Sequence, residues 1–273
     1  MSSGAPTDDP RALAVVPARL ASTRLARKML LRETGRYLFQ HTVENVLAAG
    51  VAERVVLATD SEEIERAARE VGVEALRSRR EHASGTDRVQ EAAELLRAAG
   101  EGPWDVVVNV QGDEPELPHE DLRTLLAAFR DPFVEIATLY TPLTTRRELE
   151  DPSAVKVVLD HRGNALYFSR SPVPHAPPPG SADEDALGPG WKRHLGVYAF
   201  RPSALAACTA LPPGDLEGRE RLEQLRWLEA GHTVRVLEAS DQTVGIDTPD
   251  DYALFVKRWQ SSSPPPPVAE STP

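Results

Sequence analysis

Apolar residues in the first half of the chain fall into two alternating rhythms. Short runs stand at 13–16 (LAVV), 54–59 (RVVLAT), 73–76 (VEAL) and 105–110 (DVVVNV). Runs this short and this rich in β-branched residues read as buried strands. Between them, apolar residues recur three and four apart. Phe39, Val43, Val46 and Leu47 form one stripe of a helix over 37–50. Ile64 and Ala68 mark a second helix, capped by Asp60 or Ser61. Val89, Ala93 and Leu96 mark a third, opened by Ser84, and a fourth is expected near 119–130. Strands alternating with helices predict an α/β fold, a largely parallel sheet with helices on both faces.

After about residue 134 the rhythm changes. IATLYTPL (136–143), AVKVVLD (154–160), ALYFS (165–169) and RHLGVYAF (193–200) read as strands with short connections. They predict a smaller mixed or antiparallel part. Residues 171–190 are rich in Pro and Gly and read as a surface loop. Helices follow at about 202–210 and 219–230, then the strand TVRVLEA and a last helix after Asp247. The ends, 1–11 and 261–273, carry little to bury and are expected to be disordered tails. That leaves a single domain over 12–260, with about 134–235 as its second half. In an open α/β sheet, ligands bind beyond the carboxyl ends of the strands. The segments after strands one, three and four should therefore share one crevice.

Composition narrows the partners. The chain has 273 residues, 41% of them hydrophobic, enough for a substantial core. Its formal charge is 31 − 42 = −11. Such a surface repels nucleic acid and anionic membrane, so neither is expected as a partner. No apolar run approaches the roughly 18 residues of a membrane span. The N-terminus lacks a charged region followed by an apolar one, so no secretory signal and no membrane insertion are expected. Cys208 is the only cysteine, which excludes an internal disulfide and fits a reducing compartment such as the cytoplasm.

Against this acidic background one basic loop stands out. VPARLASTRLARKML carries Arg19, Arg24, Arg27 and Lys28, with hydroxyls from Ser22 and Thr23. It could trap a triphosphate, or it could be a solvated basic loop. It lacks the glycine spacing of a Walker A motif. In REHASGTDRV, Ser84 with Asp87 three residues on reads as an ordinary helix N-cap that also presents backbone amides. NVQGDEP (109–115) puts Gln111, Asp113 and Glu114 at a strand end facing the basic loop. A carboxylate there suits a hard divalent cation that shares its ligands with phosphates. VGIDTPDD supplies a second acid, Asp247, although Asp-Thr-Pro-Asp is also a standard helix start.

Taken in order and spacing, PARLASTRL, EHASGTDR, VNVQGDEP, AVKVVLD, ALYFSRSPVP, RHLGVYAF, LEQLRWL and VGIDTPDD resemble the 3-deoxy-manno-octulosonate cytidylyltransferases, the CMP-Kdo synthetases. The likeness runs from about residue 12 to 260. Sialic-acid cytidylyltransferases share the architecture. They differ at the first loop, with a Gly-Gly-Ser-Lys type sequence where this chain has Ala21 to Arg24, and they lack the YFSR and RHLG blocks.

The resemblance implies a Rossmann-like nucleotidyltransferase fold of the glycosyltransferase-A type. It implies transfer of CMP from CTP to the anomeric hydroxyl of Kdo, with release of pyrophosphate, for lipopolysaccharide synthesis. Asp113 and Asp247 would hold Mg²⁺ and, with Lys28, form the catalytic set. Arg19, Ser22 and Lys28 would hold the triphosphate, with Ser84 and Arg88 on the nucleotide side. Gln111, Arg170, His194, Tyr198, Glu223 and Gln224 would bind the sugar. Gly112 would let the backbone approach the ligands. A homodimer formed through elements after residue 134 is also implied. Many relatives read Arg-Leu-Pro-Gly-Lys-Pro where this chain reads Arg24-Leu25-Ala26-Arg27-Lys28-Met29, so a less rigid loop with one more cation is expected. Two readings compete: a cytidylyltransferase for another acid sugar (amino-Kdo or sialic-type), and a catalytically silent nucleotide-sugar binding protein.

Overall fold

Strand β1 (Ala12–Ala18) is buried at every position. Its alternate residues feed two cores: Ala12, Ala14, Val16 and Ala18 pack on one face of the sheet, Leu13 and Val15 on the other. β2 (Arg54–Thr59) and β4 (Val106–Asn109) flank β1, parallel to it, and β3 (Ala75–Arg77) extends the sheet beyond β2. This computed structural model describes residues 9–22, 24–79, 81–82, 84–175, 187, 189–240 and 245–262.

The second half joins the same sheet. β8 (Lys192–Phe200) pairs antiparallel with both β4 and β5 (Ile136–Pro142), and β5 runs parallel to β9 (Val234–Glu238). The order is β3-β2-β1-β4-β8-β5-β9, with the hairpin β6 (Lys156–Leu159) and β7 (Ala165–Ser169) attached through β6 to β8. The fold is thus α/β with a mostly parallel central sheet and some antiparallel strands. The mixed part is continuous with the parallel part.

Helices cover both faces. α1 (Leu38–Ala49), α2 (Glu62–Glu70), α4 (His119–Ala127) and α9 (Pro249–Ser262) bury Phe39, Ile64, Leu125 and Phe255 on one side. α3 (Gly85–Ala98), α6 (Pro202–Ala210) and α8 (Gln224–Glu229) bury Val89, Leu205 and Trp227 on the other. Each such side chain contributes about 1.5–3 kcal/mol relative to exposure. Two short helices, α5 (Arg146–Glu150) and α7 (Asp215–Glu220), complete the set among the described residues. No helix among them is long and apolar enough to cross a membrane.

Several local expectations need adjustment. Leu47 is 55% exposed, and Leu38 takes its place in the buried stripe of α1. On α3 the buried alanine is Ala92, with Ala93 only half-buried. β3 starts two residues later than VEAL suggests. The helix expected over 219–230 breaks into α7 and α8 because Arg221 adopts φ 54°, ψ 48°, a left-handed turn that ends α7. Ser61, not Asp60, caps α2, accepting from the Ile64 amide at 3.3 Å. At the two ends, Arg11 donates its amide to Asp105 and its guanidinium to Glu53, and α9 runs on to Ser262; the expected tails otherwise lie mostly outside the described residues. In the 171–190 loop, residues 176–186 and 188 lie outside the described set.

Candidate active site

Two clefts open beyond the carboxyl ends of β1 and β4 and share Arg24, Gln111 and Asp247. One, of about 360 Å³, is lined by the basic loop, by His82 and the start of α3, and by Gln111–Asp113. The other, of about 660 Å³, is walled by β8, the start of α8 and the segment after Asp151.

At their junction sits Lys28. Its ammonium donates to the Asp113 carboxylate, to Asp247 Oδ1 at 3.0 Å and to the Ile246 carbonyl at 3.1 Å. Arg24 Nη2 reaches the other oxygen, Asp247 Oδ2, at 2.9 Å. Burial opposes the charge on Lys28, but the two carboxylates outweigh it and the pKa is raised. The acidic loops are tied together by the Ile246 amide donating to the Asp113 carbonyl at 2.9 Å. The helix start in VGIDTPDD uses Thr248 and Asp251, not Asp247. Asp251 Oδ2 accepts from the Thr248 amide at 2.8 Å, and the Asp251 amide donates back to Thr248 Oγ1 at 3.2 Å. Asp247 is left to face the cleft.

Asp113 and Asp247 fit a hard cation. Both bond the same nitrogen, so their oxygens converge on one point, and the donors are all oxygen. No group of three or more His, Cys, Asp or Glu forms a metal cluster among the described residues. Two carboxylates with phosphate and water oxygens completing the shell is the arrangement Mg²⁺ favours.

The basic loop differs from expectation in one respect. Arg27 adopts φ 55°, ψ 29° ahead of the 3-10 turn Lys28–Leu30, and its guanidinium pairs with Glu63. The extra cation is therefore turned away from the cleft. Arg19, Ser22 and Lys28 do line it; Thr23 lies outside the described residues. Gly112 carries a packing requirement of its own. A Cβ there would stand 2.9 Å from Met29 Sδ and 3.0 Å from the Pro17 carbonyl, so its bareness lets the acidic loop pack on β1.

On the nucleotide side, Ser84 caps α3 reciprocally with Asp87 as expected. Arg88, buried to 3% exposure, lines the cleft while its Nη2 is held by Asp60 at 2.6 Å. A residue absent from the expectations, His82, lines the same wall. Its Nε2 lies 2.6 Å from Glu91, a buried carboxylate that also accepts the Arg79 amide at 3.0 Å. The visible signal was a histidine two residues before the Ser84 cap.

On the other side, Gln111, Arg170, His194, Tyr198 and Gln224 come together around the larger cleft. Glu223 does not line it. Its carboxylate is turned to α3, accepting from Thr86 Oγ1 at 2.9 Å, and burial raises its pKa. The expected carboxylate fork of Arg170 is committed to main chain, with Nε on the Glu220 carbonyl and Nη1 on the Pro152 carbonyl, both at 2.9 Å. Arg193 also lines this cleft, where its charge helps hold the pKa values of Glu148 and Asp151 down. His194 is neutral because burial lowers its pKa to about 3; its charged neighbours in sequence are not the cause. Thr138 Oγ1 lies 3.0 Å from His194 Nε2 and 2.7 Å from the Val197 carbonyl. With the hydroxyl proton on that carbonyl, Nε2–H donates to Thr138 and the remaining ring nitrogen is an acceptor. Tyr198 is both core and wall: its ring packs on Trp227 at 5.1 Å, and its buried hydroxyl has no partner among the described residues.

Comparison with known proteins places these features in a context. A family model described as cytidylyltransferase matches residues 13–236. The chain is 43% identical over 247 residues to a 3-deoxy-manno-octulosonate cytidylyltransferase of Syntrophobacter fumaroxidans, covering 90% of this chain and 96% of that one. It is 40% identical over 242 residues to the protein of that name from Porphyromonas gingivalis, covering 88% and 92%. Among solved structures it resembles CMP:2-keto-3-deoxy-manno-octonic acid synthetase complexed with CTP, with a TM-score of 0.80, 36% identity, and coverage of 93% of this chain and 100% of that one.

Proposed function

This chain belongs to the cytidylyltransferase family, among the 3-deoxy-manno-octulosonate cytidylyltransferases, and from that membership we propose how its residues transfer CMP from CTP to Kdo and release pyrophosphate. The observation that carries the residue assignment is the meeting of Lys28, Asp113 and Asp247 where the basic cleft joins the larger polar one. A nucleotide in the first and a sugar in the second would meet there.

The reaction is an in-line displacement. The anomeric hydroxyl of the sugar bonds through its oxygen to the α-phosphorus and gives up its proton to solvent, as the bond to the bridging oxygen of pyrophosphate breaks. Arg19, Ser22 and Lys28 hold the phosphates, and the amides at the start of α3 add donors on the nucleotide side. Charge grows on the leaving pyrophosphate, so Lys28 acts most strongly in the transition state. Asp113 and Asp247 would hold Mg²⁺, which would supply positive charge to the phosphate oxygens. Gln111 stands between the clefts. Gln224, Tyr198 and the acceptor nitrogen of His194 offer partners to sugar hydroxyls, and Arg193 offers a guanidinium to the sugar carboxylate. Arg170 shapes that wall through the main chain it grips.

Residence in the cytoplasm and a homodimer belong to the same proposal. The acidic composition and the buried free thiol of Cys208 support the first. Leu166, 60% exposed on the attached β7, supports the second.

Pyrophosphate release should be measured with each nucleoside triphosphate, Kdo and Mg²⁺. Release with CTP alone among the nucleotides, and only when Kdo is present, is expected. Asp113→Asn and Asp247→Asn should each lower kcat by on the order of 10². CTP binding without turnover, whichever sugar is supplied, would refute the reading.

A further inference from the structure

We propose that Lys28 serves two partners in turn: in the nucleotide-free enzyme it is the internal counter-ion of Asp113 and Asp247, and it passes to the triphosphate as the divalent cation takes the carboxylates. It is a positioning residue that makes metal binding wait on the nucleotide. The inference rests on the reading of Asp113 and Asp247 as metal ligands.

The geometry points this way through a count of donors. An ammonium has three protons, and Lys28 has three acceptors: Asp113, Asp247 Oδ1 and the Ile246 carbonyl. Arg24 takes the second oxygen of Asp247. Two carboxylates and two cations thus balance with no metal. A divalent cation held between these two carboxylates would stand where the Lys28 ammonium now stands and would be repelled by it, so Lys28 must give way. Leaving for solvent forfeits three bonds; leaving for phosphate replaces them, and the flexible four-carbon stem permits the swing. The carboxylates stay paired meanwhile, because the Ile246 amide ties the two acidic loops at 2.9 Å independently of Lys28. Neighbouring Arg27 cannot stand in, since it faces Glu63.

Binding of Mn²⁺, as a spectroscopic substitute for Mg²⁺, tests this on the full chain by electron paramagnetic resonance, with and without CTP and without sugar. Wild type should bind Mn²⁺ weakly alone and much more tightly with CTP. Lys28→Met should bind at least tenfold more tightly than wild type without nucleotide and gain less from CTP. Arg27→Gln, which removes a charge one residue away, should match wild type. Lys28→Met binding Mn²⁺ no more tightly than wild type overturns the proposal. A measurement on wild type guards against a variant that fails to fold. Acetylation of Lys28, followed by peptide mass spectrometry, should rise as Mn²⁺ is added without nucleotide, and unchanged acetylation at full Mn²⁺ occupancy also overturns it. If Asp113→Asn leaves Mn²⁺ binding with CTP unchanged, the metal-ligand reading itself has failed, which is a distinguishable result.

Discussion

Arg27 occupies backbone space that suits glycine, and comparing Arg27→Gly with Arg27→Ala isolates that effect. Both variants lose the ion pair with Glu63, whose partners are 56% and 42% exposed, so its contribution of about 0.2–1 kcal/mol cancels between them. Both lose the same long side chain. Only glycine lacks the Cβ that makes φ 55° unfavourable, a relief of about 1–2 kcal/mol. Glycine also gains freedom in the unfolded chain, which returns about 0.4–1 kcal/mol. At mid-range, about 1.5 less about 0.7, Arg27→Gly is left more stable than Arg27→Ala by about 0.8 kcal/mol. For a chain of this size, each kcal/mol moves Tm by about 2–4 °C. Calorimetry without nucleotide should therefore place Arg27→Gly about 1–4 °C above Arg27→Ala. Because the turn still aims Lys28 into the cleft, kcat of the glycine variant should stay within about twofold of wild type, a barrier change of less than about 0.5 kcal/mol. An Arg27→Ala protein that melts as high as Arg27→Gly would refute the left-handed assignment at this position.

Other outcomes follow from the same structure. Gly112→Ala forces a Cβ against the Pro17 carbonyl and should lower stability by about 1–3 kcal/mol, read by denaturant titration; an unchanged midpoint would contradict the packing. Arg170→Met removes three main-chain bonds and should lower Tm while leaving the KM for CTP in place, whereas Arg193→Met should raise the KM for Kdo without lowering Tm; the reverse pattern would return the carboxylate to Arg170. His194 has a folded pKa of about 3 against an ordinary 6.5, so the unfolded chain binds its proton first. Stability from this group is full above pH 6.5 and is lost as pH falls toward 3, by up to about 1.4 kcal/mol per pH unit. His194→Asn should flatten the loss between pH 6 and 4 in urea titrations, and an identical slope would place a charged histidine in the fold.

The one-dimensional pattern determined what depends on near neighbours. Runs of Val and Leu mark strands because burial on both faces removes polar residues, and RVVLAT is β2 to the residue. Ser84 and Asp87 cap α3 because that bonding needs only three residues. The basic loop and the two acids were legible as chemistry, since charge at a strand end is conspicuous in an apolar context. Tertiary structure decided who meets whom. Lys28 reaches acids 85 and 219 residues away, a pairing set by the order of strands rather than by spacing. β8 inserts between β4 and β5, which no local periodicity specifies. Arg170 and Glu223 were expected as sugar ligands from the family resemblance. The fold instead satisfies Arg170 with carbonyls from two other segments and Glu223 with a hydroxyl 137 residues distant. A buried polar group takes the partner that packing brings within reach, and that partner is a property of the assembled chain.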